Sequence, residues 1–209
     1  ADTGYGEVDA EAALTRALET TGEGTFENQS EGQLLDFASN IRSTTVASIP
    51  AQYYTGSNIT PAITVTSATG KTLAKSPDYT VSFANNKAVG TATVTVTGKG
   101  SYSGTKKYTF KILPKGTSLS KLTPYKKALT VRWKKQSTQT TGYQIQLSTT
   151  SKFKSGVKSY NVTNNKTLSK KITKLKAKKK YYVRIRTYKT VSGKKYYSSW
   201  SKVKSIKTK

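Results

Sequence analysis

Short runs in which apolar and polar residues alternate, separated by turn residues, fill the sequence between positions 60 and 113. Successive side chains of a β-strand point to opposite faces, so this alternation predicts strands with one buried and one exposed face. Pairs such as Thr69-Gly70 and Asn85-Asn86 are typical of the turns between strands. The alternating runs are AITVTS, DYTVSF, TATVTV and KYTFKI. The predicted inward side chains are Ile63, Val65, Tyr79, Val81, Phe83, Val94, Val96, Tyr108, Phe110 and Ile112.

A second alternating region follows a short linker, residues 114–116, which Pro114 and Gly116 punctuate. Its predicted strands are ALTVRW, GYQIQLS, KSYNV, TLSKKI, KYYVRIRTY and SKVKSIK. Small β-sandwich modules need about 70 to 100 residues, so the chain has room for two. The sequence therefore predicts an all-β protein made of two tandem antiparallel β-sandwich modules, at residues 46–113 and 117–209.

The first 45 residues differ from the rest in both charge and periodicity. They carry nine acidic and two basic residues. An Ala-rich stretch at residues 7–20, and a capping box of Ser30 and Gln33 before LLDFASNI, predict a small helical segment. Three interpretations stay open: an acidic arm that docks on a basic partner, a helical hairpin that packs on the next domain, or the remnant of an upstream domain.

The remaining residues are strongly basic. Residues 46–209 contain 34 basic residues and one acidic residue, and residues 117–209 contain 26 basic residues and no acid. The whole chain has a net charge of +26. Such segregation indicates more than one structural unit and predicts attraction to polyanions.

The sequence contains no Cys, no His and no Met. Without Cys there is no disulfide, thiolate ligand or cysteine nucleophile, and without His the commonest general base is missing. We find no motif for a cofactor or a metal ion, and we expect no enzymatic activity. No apolar run approaches the roughly 20 residues of a membrane span. The sequence shows no signal peptide, so either the chain is cytosolic or the signal has been removed; we expect removal from an exported protein.

Asp78 is the one acidic residue after position 45. It follows Pro77 and precedes a predicted strand, which is typical of a turn residue. The alternative is a carboxyl group that promotes a Lys–Asn isopeptide bond.

Three segments of the first module carry a family resemblance: YTG at 54–56, DYTVSFANN at 78–86 and GTATVTVTGKGSYSGT at 90–105. They resemble an immunoglobulin-like repeat of surface and secreted proteins from Gram-positive gut bacteria, and the resemblance covers residues 48–113. It implies an immunoglobulin-like sandwich that serves as a stalk or spacer.

Trp133, Leu175 and Tyr181 of the second module carry a further resemblance, to the fibronectin type III domain. Trp133 stands at the place of the family's core tryptophan, on the second strand. Leu175 precedes Tyr181 by six residues, which is the family's spacing for its core leucine and corner tyrosine. The resemblance implies that the Tyr181 hydroxyl bonds to nearby backbone.

The strand KYYVRIRTY predicts a candidate ligand-binding face. If Tyr181, Val183 and Ile185 point inward, their neighbours point outward and form a basic, aromatic strip. Arginine can bind phosphate or carboxylate, and aromatic rings can stack on sugars. The alternative to a binding role is that these long side chains cover the apolar surface of an exposed strand. The predicted face, with the neighbouring strands, is Tyr182, Arg184, Arg186, Tyr188, Gln144, Gln146, Lys202 and Lys204.

These observations predict an extracellular or cell-surface, non-catalytic spacer or adhesion module. Its expected partner is an anionic polysaccharide or cell-wall polymer. Two alternatives stay open: a carbohydrate-binding or targeting appendage of a larger secreted enzyme, and a structural subunit that self-associates through its acidic N-terminus and basic C-terminal module. Nucleic acid is disfavoured as a partner because no recognised nucleic-acid-binding module is visible.

Overall fold

The computed structural model describes residues 38–209, so most of the predicted helical segment at residues 1–45 lies outside the described residues. The described part of that segment contains a 3₁₀-helix at Ile41–Ser43. Asn40 caps it, and its side chain accepts a hydrogen bond of 3.0 Å from the backbone N–H of Arg42. No helix among residues 38–209 has the length and apolar character needed to cross a membrane.

The described residues form an all-β structure, which confirms the predicted fold class. Most strands coincide with the alternating runs, because one face of each run can be buried while the other stays in water. In chain order the strands are β1 (Thr45–Val46), β2 (Gln52–Tyr53), β3 (Val65–Thr66), β4 (Tyr79–Ala84), β5 (Gly90–Gly98), β6 (Thr105–Leu113), β7 (Leu119–Tyr125), β8 (Ala128–Trp133), β9 (Gly142–Ser148), β10 (Lys158–Val162), β11 (Ser169–Ile172), β12 (Lys180–Val191), β13 (Lys194–Tyr197) and β14 (Lys204–Lys207).

The N-terminal strands form a four-stranded sheet of order β2–β6–β5–β4 and a two-stranded sheet of β1 and β3. The pairing of β4 with β5 is antiparallel, whereas β2 runs parallel to β6. A buried cluster forms here from Ile41, Val65, Leu73, Tyr79 and Val96. Asp78 acts as a turn residue, since its carboxylate accepts a hydrogen bond of 2.8 Å from the backbone N–H of Ala74.

The C-terminal strands form two sheets that share one buried core. One sheet has the order β10–β9–β12–β13, with β14 paired to β12, and the other has the order β11–β8–β7. Trp133 and Tyr143 lie in this core with their ring centroids 5.3 Å apart. The buried core residues are Leu119, Leu129, Val131, Trp133, Tyr143, Ile145, Leu147, Val162, Ile172, Leu175, Tyr181, Val183 and Ile185.

The described residues divide into two compact units that do not follow the chain order. The first contains residues 38–49, 60–84 and 93–109, and the second contains residues 50–59, 85–92 and 110–209. Within the second unit, the Tyr53 hydroxyl hydrogen-bonds to Ser199 Oγ, and the Thr91 and Tyr196 hydroxyls lie 2.8 Å apart. The domain boundaries drawn from the sequence, residues 46–113, 114–116 and 117–209, stay a prediction.

The bond expected of Tyr181 is present in the second unit. The backbone N–H of Lys176 donates a hydrogen bond of 3.0 Å to the Tyr181 hydroxyl, while the Tyr181 ring lies in the core. The bond therefore ties the segment before β12 to the strand itself.

Replacing Tyr181 with phenylalanine should lower the free energy of unfolding by about 1 kcal/mol, because the N–H of Lys176 loses its acceptor while the ring stays in place. Urea unfolding followed by tryptophan fluorescence measures this change. Tyr182→Phe, on the opposite face of β12, is the matched control and should change stability by less than about 0.5 kcal/mol. Equal losses in the two variants would contradict a specific role for the Tyr181 hydroxyl.

Candidate functional site

The outer face of β9 and β12 carries the two arginines of the predicted ligand face. Val183 and Ile185 are fully buried, so Arg184 and Arg186 project from the other side of β12. The strand register places Arg184 opposite Gln146 and Arg186 opposite Gln144. These four side chains are brought together as predicted.

Glutamine oxygens hold both guanidinium groups in place. Arg184 donates to Oε1 of Gln146 from Nε at 2.9 Å and from Nη2 at 2.6 Å. Arg186 donates from Nε to Oε1 of Gln144 at 2.8 Å. The amide nitrogens of the two glutamines donate onward to β10, at distances of 3.2 Å, to Asn161 and Ser159. The arginines are therefore anchored to a hydrogen-bonded strip across three strands.

Aromatic rings cover the faces of both guanidinium groups. The Trp200 ring centroid lies 4.4 Å from Cζ of Arg184 and 4.2 Å from Cζ of Arg186. Phe153 stacks on Arg184 at 4.2 Å, and Tyr197 stacks on Arg186 at 3.8 Å. We name this set, Phe153, Arg184, Trp200, Arg186 and Tyr197, the arginine–aromatic ladder. Such stacking is a favourable cation–π arrangement.

The ladder is partly shielded from water, and this shielding lowers the pKa of both arginines. Burial lowers the pKa of Arg184. Burial also lowers the pKa of Arg186; Tyr197 opposes this effect, and Arg184 adds to it. Arginine stays charged in proteins, so the ladder places two neighbouring positive charges on a surface that has no carboxylate in residues 117–209.

Tyr188 was predicted on the exposed face, and this is wrong: its side chain is only 2 % exposed. It pairs across the strands with Gly142, which has no side chain and lets the ring lie against β9. The ring centroid of Tyr197 lies 5.9 Å from that of Tyr188, and Lys195 Nζ lies 5.0 Å from the same centroid. Burial, followed by the influence of Tyr197, raises the pKa of Tyr188.

The predicted position of Lys204 beside the arginines is also wrong. Lys204 pairs with Val183, and its Nζ donates to the backbone oxygen of Ser120 on β7. Lys202 is exposed and lies before β14, outside any strand. The error arises because the chain after Tyr197 does not continue as a regular strand. Instead, the backbone N–H of Ser201 donates to the Ile185 carbonyl, and Ser201 Oγ accepts from the Ile185 N–H.

Tyr182 stays on the arginine side, as predicted. It is half-buried, and Lys180 Nζ lies 5.3 Å from the centroid of its ring.

The aromatic half of the ladder was missed at the level of sequence. Phe153 comes from the loop between β9 and β10, Tyr197 ends β13, and Trp200 lies in the connection between β13 and β14. The signal was the pairing of an Arg-x-Arg strand with two aromatic residues three positions apart. Sequence periodicity cannot predict this pairing, because the arginines and the aromatic residues lie on separate segments that come together only in the folded sheet.

Replacing Trp200 with alanine should lower the free energy of unfolding of the second unit by about 1–2 kcal/mol, since both arginines lose a stacked ring. Thermal and urea unfolding measure this change. Trp200→Tyr keeps a ring between the guanidinium groups and is the control that should lose clearly less. A similar loss in both variants would contradict a contribution from stacking.

Other site chemistry is limited in the described residues. Across residues 38–209, no three side chains of the His, Cys, Asp or Glu types come together in a way that could hold a metal ion. What the ladder can offer is the outer N–H groups of two fixed cations beside aromatic edges.

Comparison with known proteins identifies the second module. Residues 113–204 match the family model of the fibronectin type III domain, and the chain contains a fibronectin type III domain in this region. No curated protein matches the chain.

The solved structures that match part of the chain include two isolated domains. The fibronectin type III domain of human contactin 1 has 13 % identity and a TM-score of 0.38, over 46 % of this chain and 77 % of that one. The FN5 domain of Drosophila Lar has 22 % identity and a TM-score of 0.34, over 44 % of this chain and 92 % of that one. A β-1,2-glucanase from Parabacteroides distasonis has 16 % identity and a TM-score of 0.36, over 56 % of this chain and 17 % of that one.

Proposed function

We propose that the chain is a non-catalytic extracellular spacer or adhesion module that attaches to an anionic polymer, either a cell-wall polymer or a host glycan. The observation that carries this proposal is the charge of residues 38–209, where 35 basic side chains stand against one carboxylate, Asp78. That carboxylate already accepts a backbone N–H in a turn. Within residues 38–209 the positive charge therefore has almost no negative charge to balance it.

An unbalanced charge of this size has an energetic consequence. Like charges on a compact protein repel one another and destabilise it at low salt, and a bound polyanion relieves that repulsion. A polymer gains more than a small anion does, because each neutralised charge releases counterions. The sequence places 26 of the basic residues in residues 117–209, so we assign the attachment to the fibronectin type III domain.

The domain type supports a role in spacing or adhesion. Fibronectin type III domains are commonly spacer or adhesion modules, and a fold of this kind does not by itself supply a reaction. We further propose that the N-terminal β-module is an immunoglobulin-like repeat of a bacterial surface protein. Its support is the YTG, DYTVSFANN and GTATVTVTGKGSYSGT segments together with strands β4, β5 and β6, which contain the alternating parts of the last two segments.

Co-sedimentation of the chain with Gram-positive cell walls, with and without their teichoic acid, tests the proposal. We expect binding that requires teichoic acid, remains measurable near 0.15 M salt, and weakens at least tenfold between roughly 50 and 200 mM salt. Neutral dextran is the control polymer and should not compete. Parallel measurements with dextran sulfate and with double-stranded DNA separate an anionic glycan from nucleic acid. Tighter binding to DNA than to the other polyanions, or no polyanion binding at 0.15 M salt, would overturn the proposal.

A further inference from the structure

A cleft at one end of the fibronectin type III domain is lined by lysines. It has a volume of about 400 Å³, and Lys158, Lys174, Lys176, Lys179, Ser148 and Thr149 are among its lining residues. The core side chain Tyr181 also contributes to its wall. None of the lining residues is acidic. We name this site the lysine cleft; it lies apart from the predicted face of Gln144, Gln146, Arg184 and Arg186.

The backbone that carries three of these lysines is held by hydrogen bonds. Lys176 donates its N–H to the Tyr181 hydroxyl at 3.0 Å, and its carbonyl accepts from Thr208 Oγ1 at 2.7 Å. Lys179 donates its N–H to Thr208 Oγ1 at 3.1 Å, and its carbonyl accepts the N–H of Thr208 at 3.0 Å. Leu175, between the lysines, donates to the Lys127 carbonyl at 2.9 Å. The segment is therefore a fixed platform from which long cationic side chains extend.

Strand pairing fixes a second part of the lining. Lys158 begins β10 and pairs with Leu147 of β9, which fixes its position at the edge of the sheet. Ser148 is buried, and its Oγ accepts the backbone N–H of Thr150 at 3.1 Å. The Ser148 hydroxyl donates in turn to the backbone oxygen of Ser155 at 3.3 Å, so it helps to fix this part of the lining. The cleft thus combines cations from two segments with the exposed hydroxyl of Thr149 from a third.

Four of the residues that line the cleft are lysines, and this favours an anionic ligand. Ammonium groups bind phosphate or sulfate oxygens as point charges, and hydroxyl groups donate to the same oxygens. Four ammonium groups around one cleft repel one another unless an anion lies between them. The volume falls within the range of sites that hold whole small molecules rather than single ions, roughly 300–1,000 Å³. A sugar or polyol unit with its charged ester fits such a space.

The arginine–aromatic ladder is less suited to this task. Rings cover the faces of its guanidinium groups, and the glutamines take their Nε–H groups. Much of the binding capacity of these arginines is already used within the protein. The side chains of Lys174, Lys176 and Lys179, in contrast, are exposed.

From these observations we propose that the lysine cleft binds one phosphate- or sulfate-ester-bearing unit of an anionic polymer. This inference rests on the proposed function and assigns its contact site. The polymer would extend along the surrounding basic surface while one ester group occupies the cleft.

The test compares two triple variants of the full chain with equal charge. The cleft variant removes three cations from the cleft and carries Lys174→Gln, Lys176→Gln and Lys179→Gln. The control variant removes three exposed lysines elsewhere in the domain and carries Lys121→Gln, Lys134→Gln and Lys135→Gln. Glutamine keeps part of the aliphatic stem, and unchanged unfolding midpoints show that both variants fold. Calorimetric titration at 0.15 M salt uses poly(glycerol phosphate) and dextran sulfate as probes, with dextran as the neutral control.

We expect the cleft variant to bind the preferred probe about tenfold more weakly than the unmodified chain, and the control variant to lose less than about threefold. The tighter of the two probes identifies the ester as phosphate or sulfate. Equal weakening in both variants would overturn the lysine cleft while leaving a general polyanion attachment in place. Failure of the unmodified chain to bind either probe would overturn the proposed function and the cleft together.

Discussion

Replacing Trp133 with alanine is expected to lower the free energy of unfolding of the fibronectin type III domain by about 3–5 kcal/mol, the range for the loss of a large aromatic side chain from a core. Trp133 is 3 % exposed and packs against Tyr143 between the two sheets. Its removal deletes apolar contacts and leaves a cavity that the β-sheets cannot close by small movements. Since domains are stable by only about 5–15 kcal/mol, a large part of the folded population would be lost on mild heating.

Circular dichroism during urea unfolding measures this effect. Trp200 remains in the variant and provides fluorescence as a second, independent probe. Trp200→Ala is the natural comparison: it removes the same side chain from the half-buried ladder, with a smaller expected loss. If Trp133→Ala lost less than Trp200→Ala, the sandwich core would not be centred where the structure places it.

Replacing Gly142 with alanine is expected to lower the free energy of unfolding by about 3 kcal/mol, at the upper end of the usual range for overpacking. A Cβ at this position would lie 2.1 Å from the carbonyl oxygen of Val162 and 2.9 Å from the hydroxyl oxygen of Tyr188. The first neighbour is backbone of the paired strand β10 and cannot rotate away, so the sheet itself has to shift. The second neighbour is the buried tyrosine beside the ladder.

Gly116→Ala is the matched control, because an added Cβ there meets only ordinary contacts of 3.7 Å or more. Its stability should change by less than about 0.5 kcal/mol. Comparable unfolding midpoints for the two variants would contradict the close approach of β10 and Tyr188 to Gly142.

The strands were predictable from the sequence wherever one face of the strand is buried and the other is exposed to solvent. The predicted strands ALTVRW, GYQIQLS and KSYNV coincide with β8, β9 and β10, because alternation there reports burial directly. Strand β7, Leu119–Tyr125, was not predicted; it contains Pro124, which counts against a strand, and its burial pattern does not alternate. Strand β13, Lys194–Tyr197, was not among the predicted strands, because a run of lysines and tyrosines carries no apolar period.

The candidate site was predictable only in the part that depends on strand periodicity. Arg184 and Arg186, with Gln144 and Gln146, follow from the inward direction of Val183 and Ile185. The burial of Tyr188 depends on a glycine across the sheet, and the position of Lys204 depends on an irregular connection after Tyr197; neither is encoded in a local pattern. The lysine cleft could not be foreseen, since it joins side chains from the end of β9, the start of β10 and the β11–β12 connection.

The charge of residues 38–209 has a consequence for the conditions under which the protein can act. Histidine, the one side chain whose ordinary pKa lies in the physiological range, is absent from the whole sequence. With a single carboxylate among 35 basic side chains, acidification can change the side-chain charge of these residues by no more than one unit. If residues 38–209 bind an anionic polymer as we propose, the protein's positive charge at that contact varies little with acidification, and the attraction weakens as ionic strength rises. Any pH dependence then comes from the polymer and from the nine carboxylates of residues 1–37.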